Sequence, residues 1–160
     1  MEICNPETSD VDRLTEYWVE LATDQRQYGS RLLAAENRTA VAETISRHLV
    51  SDELLVARED DAILGLVMYT IEDGRYVQDQ QTGVIVNLYV RPDSRNSGVG
   101  SELLAAAEAE LVDAGADTVS LEVLAANDAA RRFYRRHDYQ PHRVELAKSM
   151  ENDTHSKGGD

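Results

Sequence analysis

From Val11 the apolar positions Val11, Leu14, Trp18, Leu21 and Ala22 recur at intervals that place them on one face of a helix. Ser9-Asp10-Val11-Asp12 supplies the helix start, and Trp18 falls on the core stripe. A second helix is predicted after Asn37, with Val41, Ile45 and Leu49 on one face, and the polar stretch Gln25 to Arg31 between the two fits no element. Leu54 to Arg58 and Ile63 to Ile71 then read as two strands joined by the hairpin turn Glu59-Asp60-Asp61-Ala62. Glu72 to Thr82 is polar and reads as a longer exposed loop. Beyond it come a strand over Val84 to Val90, a helix over Ser101 to Ala114 closed by Gly115, a strand over Thr118 to Leu124, a helix over Asp128 to Arg136, and a last strand around His142 to Ala147. No internal repeat interrupts this order. Residues 1–150 therefore form one domain, and 151–160, which lack apolar periodicity, form a disordered tail.

Length agrees with that division, since 160 residues bury about two-thirds of their unfolded surface and leave no room for a second catalytic domain. Charge is more distinctive. Thirty acidic residues against sixteen basic ones give a formal charge of −14, and only Lys148 and Lys157 are lysine among those sixteen. Such a surface stays hydrated in concentrated salt, where self-repulsion is screened within about 3 Å at 1 M. A halophilic protein is expected, whose thermal stability rises as KCl is taken from low to molar concentration; a melting curve that stays flat or falls would refute this. The same acidity argues against nucleic acid as partner. Cys4 is the only cysteine and no disulfide framework can form within one chain; it reads as a small buried residue of a first strand. The N-terminal residues carry neither a basic segment nor an apolar run, and no stretch is long enough to span a bilayer. A cytoplasmic protein without membrane partner is the expectation. His48, His137, His142 and His155 show no metal-ligand spacing, so no metal is expected.

Candidate chemistry begins at Arg95-Asn96-Ser97-Gly98-Val99-Gly100, which joins the strand ending at Val90 to the helix from Ser101. Gly98 and Gly100 can take positive φ and let a ligand approach the backbone, while the first amides of the helix lack intrahelical partners. Those amides and the helix dipole suit a phosphate or pyrophosphate. Alone, the hexapeptide fits an ordinary glycine turn equally well. A Walker loop is excluded because Gly100 is followed by Ser101 without lysine. A dinucleotide fingerprint fits poorly, because Leu103 stands where a small residue is needed, although Glu122 sits where a ribose-binding carboxylate would.

Leu88-Tyr89-Val90-Arg91-Pro92, Arg95-x-x-Gly98-x-Gly100 and Leu103-Leu104, taken in order, resemble the acetyl-CoA-binding segment of the GNAT family of N-acyltransferases. Leu121-Glu122-Val123-Leu124, Asn127, Ala130, Phe133-Tyr134 and Tyr139 resemble that family's later strand–helix–strand segment. Ser97 departs from the pattern, since many members carry glycine or a basic residue there. The resemblance implies an α/β (α+β) fold whose mixed central sheet of about six to seven strands is flanked by about four helices, with a splayed pair of central strands that admits pantetheine. It implies acetyl-CoA as cosubstrate, held by the backbone of Leu88, Tyr89 and Val90, by the loop Arg95, Asn96, Ser97, Gly98, Val99, Gly100 and Ser101, and by Asn127 and Tyr134.

Direct transfer to an amine needs a neutral nucleophile, a polarised carbonyl and a proton for the leaving thiolate. Tyr134 is the candidate acid, by a phenol that in the resembling family reaches the CoA sulfur; its other reading is packing with Ala130 and His137. Asn127 can cap the helix that carries Tyr134 and, in the family, also bonds the pantetheine arm. Glu122 is the candidate base. Its spacing to Tyr134 resembles that of ribosomal-protein N-terminal alanine acetyltransferases, and pairing with an arginine at a strand edge is an equally good account of it. The strand before the glycine loop offers only Val86 and Asn87 in its place. Arg131, Arg132, Arg135 and Arg136 form a basic run, either solvated or drawing CoA phosphates. The expected activity is acetyl transfer to a primary amine, small or at a protein N-terminus. A non-catalytic acyl-CoA-binding or sensing module is the alternative, the loops Gln25 to Arg31 and Glu72 to Thr82 are expected to line the acceptor side, and a homodimer is left open.

Overall fold

The computed structural model describes residues 1–151. One sheet runs β1 (Glu2–Cys4), β2 (Leu54–Glu59), β3 (Ala62–Ile71), β4 (Thr82–Val90) and β5 (Thr118–Leu121), in that spatial order. All neighbours are antiparallel except β4 and β5, which are parallel. Four α-helices accompany it: α1 (Val11–Gln25), α2 (Arg38–Val50), α3 (Val99–Asp113) and α4 (Asp128–Arg136).

The alternation of β2, β3 and β4 sends apolar side chains to both faces, so two cores form. On one face Leu14 and Tyr17 of α1 and Val41 and Ile45 of α2 pack against Leu54, Val56, Ile63, Leu66, Met68 and Tyr89. Trp18 and Cys4 join this core half-buried. On the other face Val99, Leu103, Leu104, Ala107 and Leu111 of α3 cover Leu55, Ala57, Val67, Tyr69 and Ile85, with Phe133, Tyr134 and Tyr139 at the rim. Gly65 matters to this second layer, since a Cβ there would sit 2.4 Å from the Tyr89 carbonyl oxygen and 3.1 Å from Leu103. A glycine at that point lets β3, β4 and α3 close on one another.

Several boundaries differ from those the sequence predicts. Among the described residues the sheet has five strands instead of six or seven. The strand expected to Leu124 ends at Leu121, because its only ladder among the described residues, with β4, ends at Ile85↔Leu121. The strand expected around His142 to Ala147 does not form: Gln140 to Met150 is fully exposed and pairs with nothing among the described residues. Alternation specifies a strand only where an edge is available to receive it. The expected tail over 151–160 lies, beyond Glu151, outside the described residues. Four carboxylates, Asp10, Glu16, Glu59 and Asp93, are in ion pairs among the described residues, against thirty in the chain. Most of the other described carboxylates are exposed, which is the condition for the salt response expected above. No helix of the described residues is long and apolar enough to cross a membrane.

Candidate functional site

β4 changes partners along its length. Met68 pairs with Asn87 while Tyr69 pairs with Ile85, so Val86 is an extra residue bulged out of β4. A bulge bends its strand and sharpens the local twist. At this point β4 and β5 part, their ladder covering Thr82 to Ile85 and no further. The Arg91 N–H donates to the Leu64 carbonyl at 2.8 Å, which fixes the phase of the β3 ladder. By alternation Asn87 and Tyr89 also direct their backbone groups at β3, whereas those of Leu88 and Val90 face the side that β5 has left. Of these, the Val90 carbonyl accepts from Arg95 Nε at 2.8 Å. The N–H and C=O of Leu88 and the N–H of Val90 therefore border a wedge between two strands. Sequence spacing gives Leu88, Tyr89 and Val90 equal standing; the ladder phase separates them.

The wedge leads into the loop before α3. Pro92–Ser94 makes a single helical turn, Ser97 Oγ donates to the Ser94 carbonyl at 2.5 Å, and Arg91 grips Asp93 with two hydrogen bonds of 3.0 and 2.8 Å. Asn96 (φ 63°) and Gly98 (φ 90°) are both left-handed, and a Cβ on Gly98 would meet nothing within 4 Å. Gly100 differs from expectation: it lies inside α3 with helical backbone, and its missing side chain leaves room for Phe133, 3.4 Å from where a Cβ would be. Gly98 is the N-cap of α3 and no side chain caps the helix. The Val99, Gly100 and Ser101 amides thus open onto the space beyond Gly98 without an intrahelical partner. Ser101 Oγ is 2.9 Å from His137 Nε2 and ties the start of α3 to the end of α4. Arg95, exposed, has its guanidinium 5.7 Å from the centre of the Tyr89 ring.

α4 closes the other side. Asn127, buried, caps it by accepting the Ala130 N–H at 3.1 Å. Tyr134 packs edge-on against Phe133 (5.1 Å) and Tyr139 (5.8 Å). Its hydroxyl has no hydrogen-bond partner among the described residues, and burial pushes its pKa up to about 12. The phenol is therefore a neutral donor with its proton uncommitted. The neighbouring Tyr139 differs, for its hydroxyl is spent on Glu108 of α3 at 2.6 Å. Arg131 Nη1 bonds the Ala125 carbonyl at 3.0 Å and the Arg136 guanidinium lies 5.8 Å from the Phe133 ring centre, so half of the basic run has local partners.

Glu122 follows the last paired residue of β5. Val119 and Leu121 pack into the α3-side core, so the parity of the strand turns Glu122 to the α1 face. It is exposed and makes no ion pair with an arginine among the described residues. Tyr134 packs against the α3-side core, whereas the parity of β5, carried one residue past its end, puts Glu122 on the other face. On the α1 face stands a group the sequence did not single out: the Tyr89 hydroxyl donates to Glu20 at 2.7 Å, and the Tyr17 ring lies 5.2 Å away. Burial first, then the Glu20 bond, raise the Tyr89 pKa well above that of a free phenol. Only the strand parity of Tyr89 hinted at this face. The stretch from Gln25 to Arg31 extends from the end of α1 beyond Glu20. The loop 72–81 does not line the same space: Gln81 and Asp117 exchange bonds of 2.7 and 3.0 Å where β5 begins, at the other end of the β4–β5 ladder. No cluster of three or more His, Cys, Asp or Glu suited to a metal forms among the described residues.

A family model described as acetyltransferase (GNAT) family matches residues 15–139. The fold is similar to that of a GCN5-related N-acetyltransferase from Ralstonia eutropha (22% identity, TM-score 0.73, covering 94% of this chain and 99% of that one). It is also similar to a predicted acetyltransferase from Clostridium acetobutylicum solved with acetyl-CoA (16%, 0.75, 93% and 96%). A further likeness is to AAC(6')-Iy in complex with the bisubstrate analogue CoA-S-monomethyl-acetylneamine (15%, 0.67, 92% and 97%). No curated protein sequence matches the chain significantly.

Proposed function

Because the chain belongs to the acetyltransferase (GNAT) family, we propose that it moves an acetyl group from acetyl-CoA directly to a primary amine, either a small molecule or a protein N-terminus. One observation carries the reading: the β4–β5 ladder stops at Ile85↔Leu121, and the unpaired backbone of Leu88 and Val90 runs from there toward the uncapped start of α3. An extended ligand with amides along its length and a pyrophosphate at one end has the complementary shape and charge.

The residues present fit acetyl-CoA on those terms. Leu88 and Val90 would hold the pantetheine amides as a strand would, and the Val99, Gly100 and Ser101 amides would hold the pyrophosphate, with Gly98 leaving the approach clear. Asn127 spends its side-chain oxygen on the α4 cap, so its amide nitrogen is the group left for the pantetheine arm. The cosubstrate supplies an acetyl thioester, activated toward amines. An N–H of the wedge polarises the acyl carbonyl, Tyr134 donates a proton at its Oη as the thiolate departs, and Glu122 takes the proton of the incoming ammonium, directly or through water. Raised by burial, the Tyr134 phenol keeps its proton at neutral pH, which suits an acid. Exposure leaves the Glu122 carboxylate open to a cationic amine. The alternative account of Glu122, an ion pair with an arginine, finds no such partner among the described residues.

Glu122→Gln is expected to lower kcat/KM most at pH values where the acceptor is an ammonium ion. The deficit shrinks as rising pH removes that proton without help. A uniform loss at every pH, or a loss of stability with the rate intact, would make the carboxylate structural.

The acceptor class is tested by releasing free thiol from acetyl-CoA with a panel of amines and protein N-termini, products being identified by mass. The AAC(6')-Iy complex named above carries an acetylneamine analogue, and small amines are accordingly tried first in the panel. Acetyl-CoA binding without thiol release from any amine would overturn the catalytic reading and leave a module that binds acyl-CoA.

A further inference from the structure

Ser101 sits where two parts of the candidate site meet. Its amide is one of the three at the start of α3 that lack an intrahelical partner, and its hydroxyl lies 2.9 Å from Nε2 of His137. Both side chains are half-buried. His137 is held from two sides: its backbone N–H donates to the Tyr134 carbonyl at 3.0 Å, and its ring lies 4.7 Å from that of Phe133, which packs over Gly100. Nδ1 of the same ring has no hydrogen-bond partner among the described residues, so no contact there fixes which nitrogen carries the proton. The acetyl transfer described above gives this histidine no part.

A serine hydroxyl carries one proton and two lone pairs. With Nε2 bare, Ser101 spends its proton on the imidazole and has only lone pairs to turn toward the space in front of the free amides. With a proton on Nε2, as in one neutral tautomer and in the imidazolium, Ser101 accepts from the ring and its own proton is left to donate. An anion held by those amides is repelled by the first arrangement and bonded by the second. Because a hydrogen bond to an ionised group is roughly twice as strong as a neutral one, the anion decides the direction of the Ser101–His137 bond.

We propose that His137 is a positioning residue for the pyrophosphate of acetyl-CoA: through its Nε2–H it directs the Ser101 hydroxyl proton at the phosphate, and bound cosubstrate thereby selects the Nε2–H form of the ring. The inference rests on the acetyl-CoA reading above and adds a fourth donor, with its own control, to the Val99, Gly100 and Ser101 amides. The proton that Nε2 gains comes from Nδ1 by way of water, or from solvent, and no other bond is made or broken. The contacts that hold His137 to Tyr134 and Phe133 stay in place, since only a proton and a hydroxyl rotor change position.

Nitrogen NMR of the imidazole, assigned with His137→Gln, and calorimetry are the test. On saturation with acetyl-CoA the His137 Nε2 is expected to become the protonated nitrogen, whereas pantetheine, which lacks the pyrophosphate, should leave the ring as it is in the free protein. Ser101→Ala should weaken acetyl-CoA binding by roughly 10-fold, the loss of one hydrogen bond to a charged group. His137→Leu should weaken it by about 3-fold, through the hydroxyl left unpolarised and free to turn, and should cost nothing further in the Ser101→Ala background. His137→Gln, whose amide can donate to Ser101, should recover most of the affinity. Pantetheine should bind all of these variants alike. An Nε2 that stays bare in the complex, or that is protonated equally with and without acetyl-CoA, overturns the proposal. So do losses that add in the double variant or extend to pantetheine, which would mean that His137 only packs. A wild type that binds no acetyl-CoA overturns it together with the reading it rests on, whereas acetyl-CoA binding beside a bare Nε2 overturns it alone.

Discussion

Tyr134→Phe is expected to leave acetyl-CoA affinity within a factor of a few of wild type while kcat falls by about 10²–10⁴-fold, the usual worth of a positioned acid. The substitution keeps the ring that packs edge-on against Phe133 and Tyr139 and deletes a hydroxyl bonded to no described residue. Nothing in the fold is therefore left unsatisfied, and the melting temperature should hold. That hydroxyl is half-buried and its pKa is pushed up to about 12, so its proton is lost only far into the alkaline range. A decline of wild-type kcat between roughly pH 8 and 10 would accordingly come from another group. Single-turnover kinetics with calorimetry of acetyl-CoA separates the terms. Wild-type kcat in Tyr134→Phe would mean that solvent protonates the thiolate and that Tyr134 only packs. Tyr139→Phe is the contrasting control, because its hydroxyl is engaged with Glu108 and its loss should act on stability.

Gly98→Val should weaken acetyl-CoA binding by roughly 10- to 100-fold, about the loss of one charge-assisted hydrogen bond. At φ 90° a branched side chain is strained, and it projects into space where no protein atom lies within 4 Å. The strain costs about 1–2 kcal/mol, visible as a small drop in melting temperature, whereas the affinity loss reflects the blocked approach to the Val99, Gly100 and Ser101 amides. Gly100→Val should weaken binding by another route, because its branches meet Phe133 and Val90, at 3.4 and 3.6 Å from the Cβ position, and push the wedge walls apart. Pantetheine alone, lacking the pyrophosphate, should bind the wild type and Gly98→Val alike. Unchanged acetyl-CoA affinity in both valine variants would remove the loop from the mechanism.

Much of this molecule is written locally. Helical spacing of Val11, Leu14, Trp18 and Leu21, alternation through Leu54 to Ile71, and Asn127 ahead of α4 each mark their elements, because periodicity and capping depend on residues a few positions apart. The ordered blocks from Leu88 to Leu104 and from Leu121 to Tyr139 also identify the family. Gly98 was legible for the same reason, since a left-handed turn before a helix is a property of the turn.

What the sequence left open are questions of pairing between distant segments. The bulge at Val86 exists because β3 and β4 are matched around it, and it decides which of Leu88, Tyr89 and Val90 turn their backbone to the wedge. Gly100 reads as a flexible turn residue and is in fact a helical one whose smallness accommodates Phe133, a contact across thirty-three positions. Alternation in Val144 and Leu146 names a strand without supplying an edge, and Glu20 meets Tyr89 only because α1 lies over β4. Local pattern determined most of the helices and strands and how they begin, and which family the chain belongs to. Register, face and edge depend on which surfaces meet, and only the packed tertiary structure decided those.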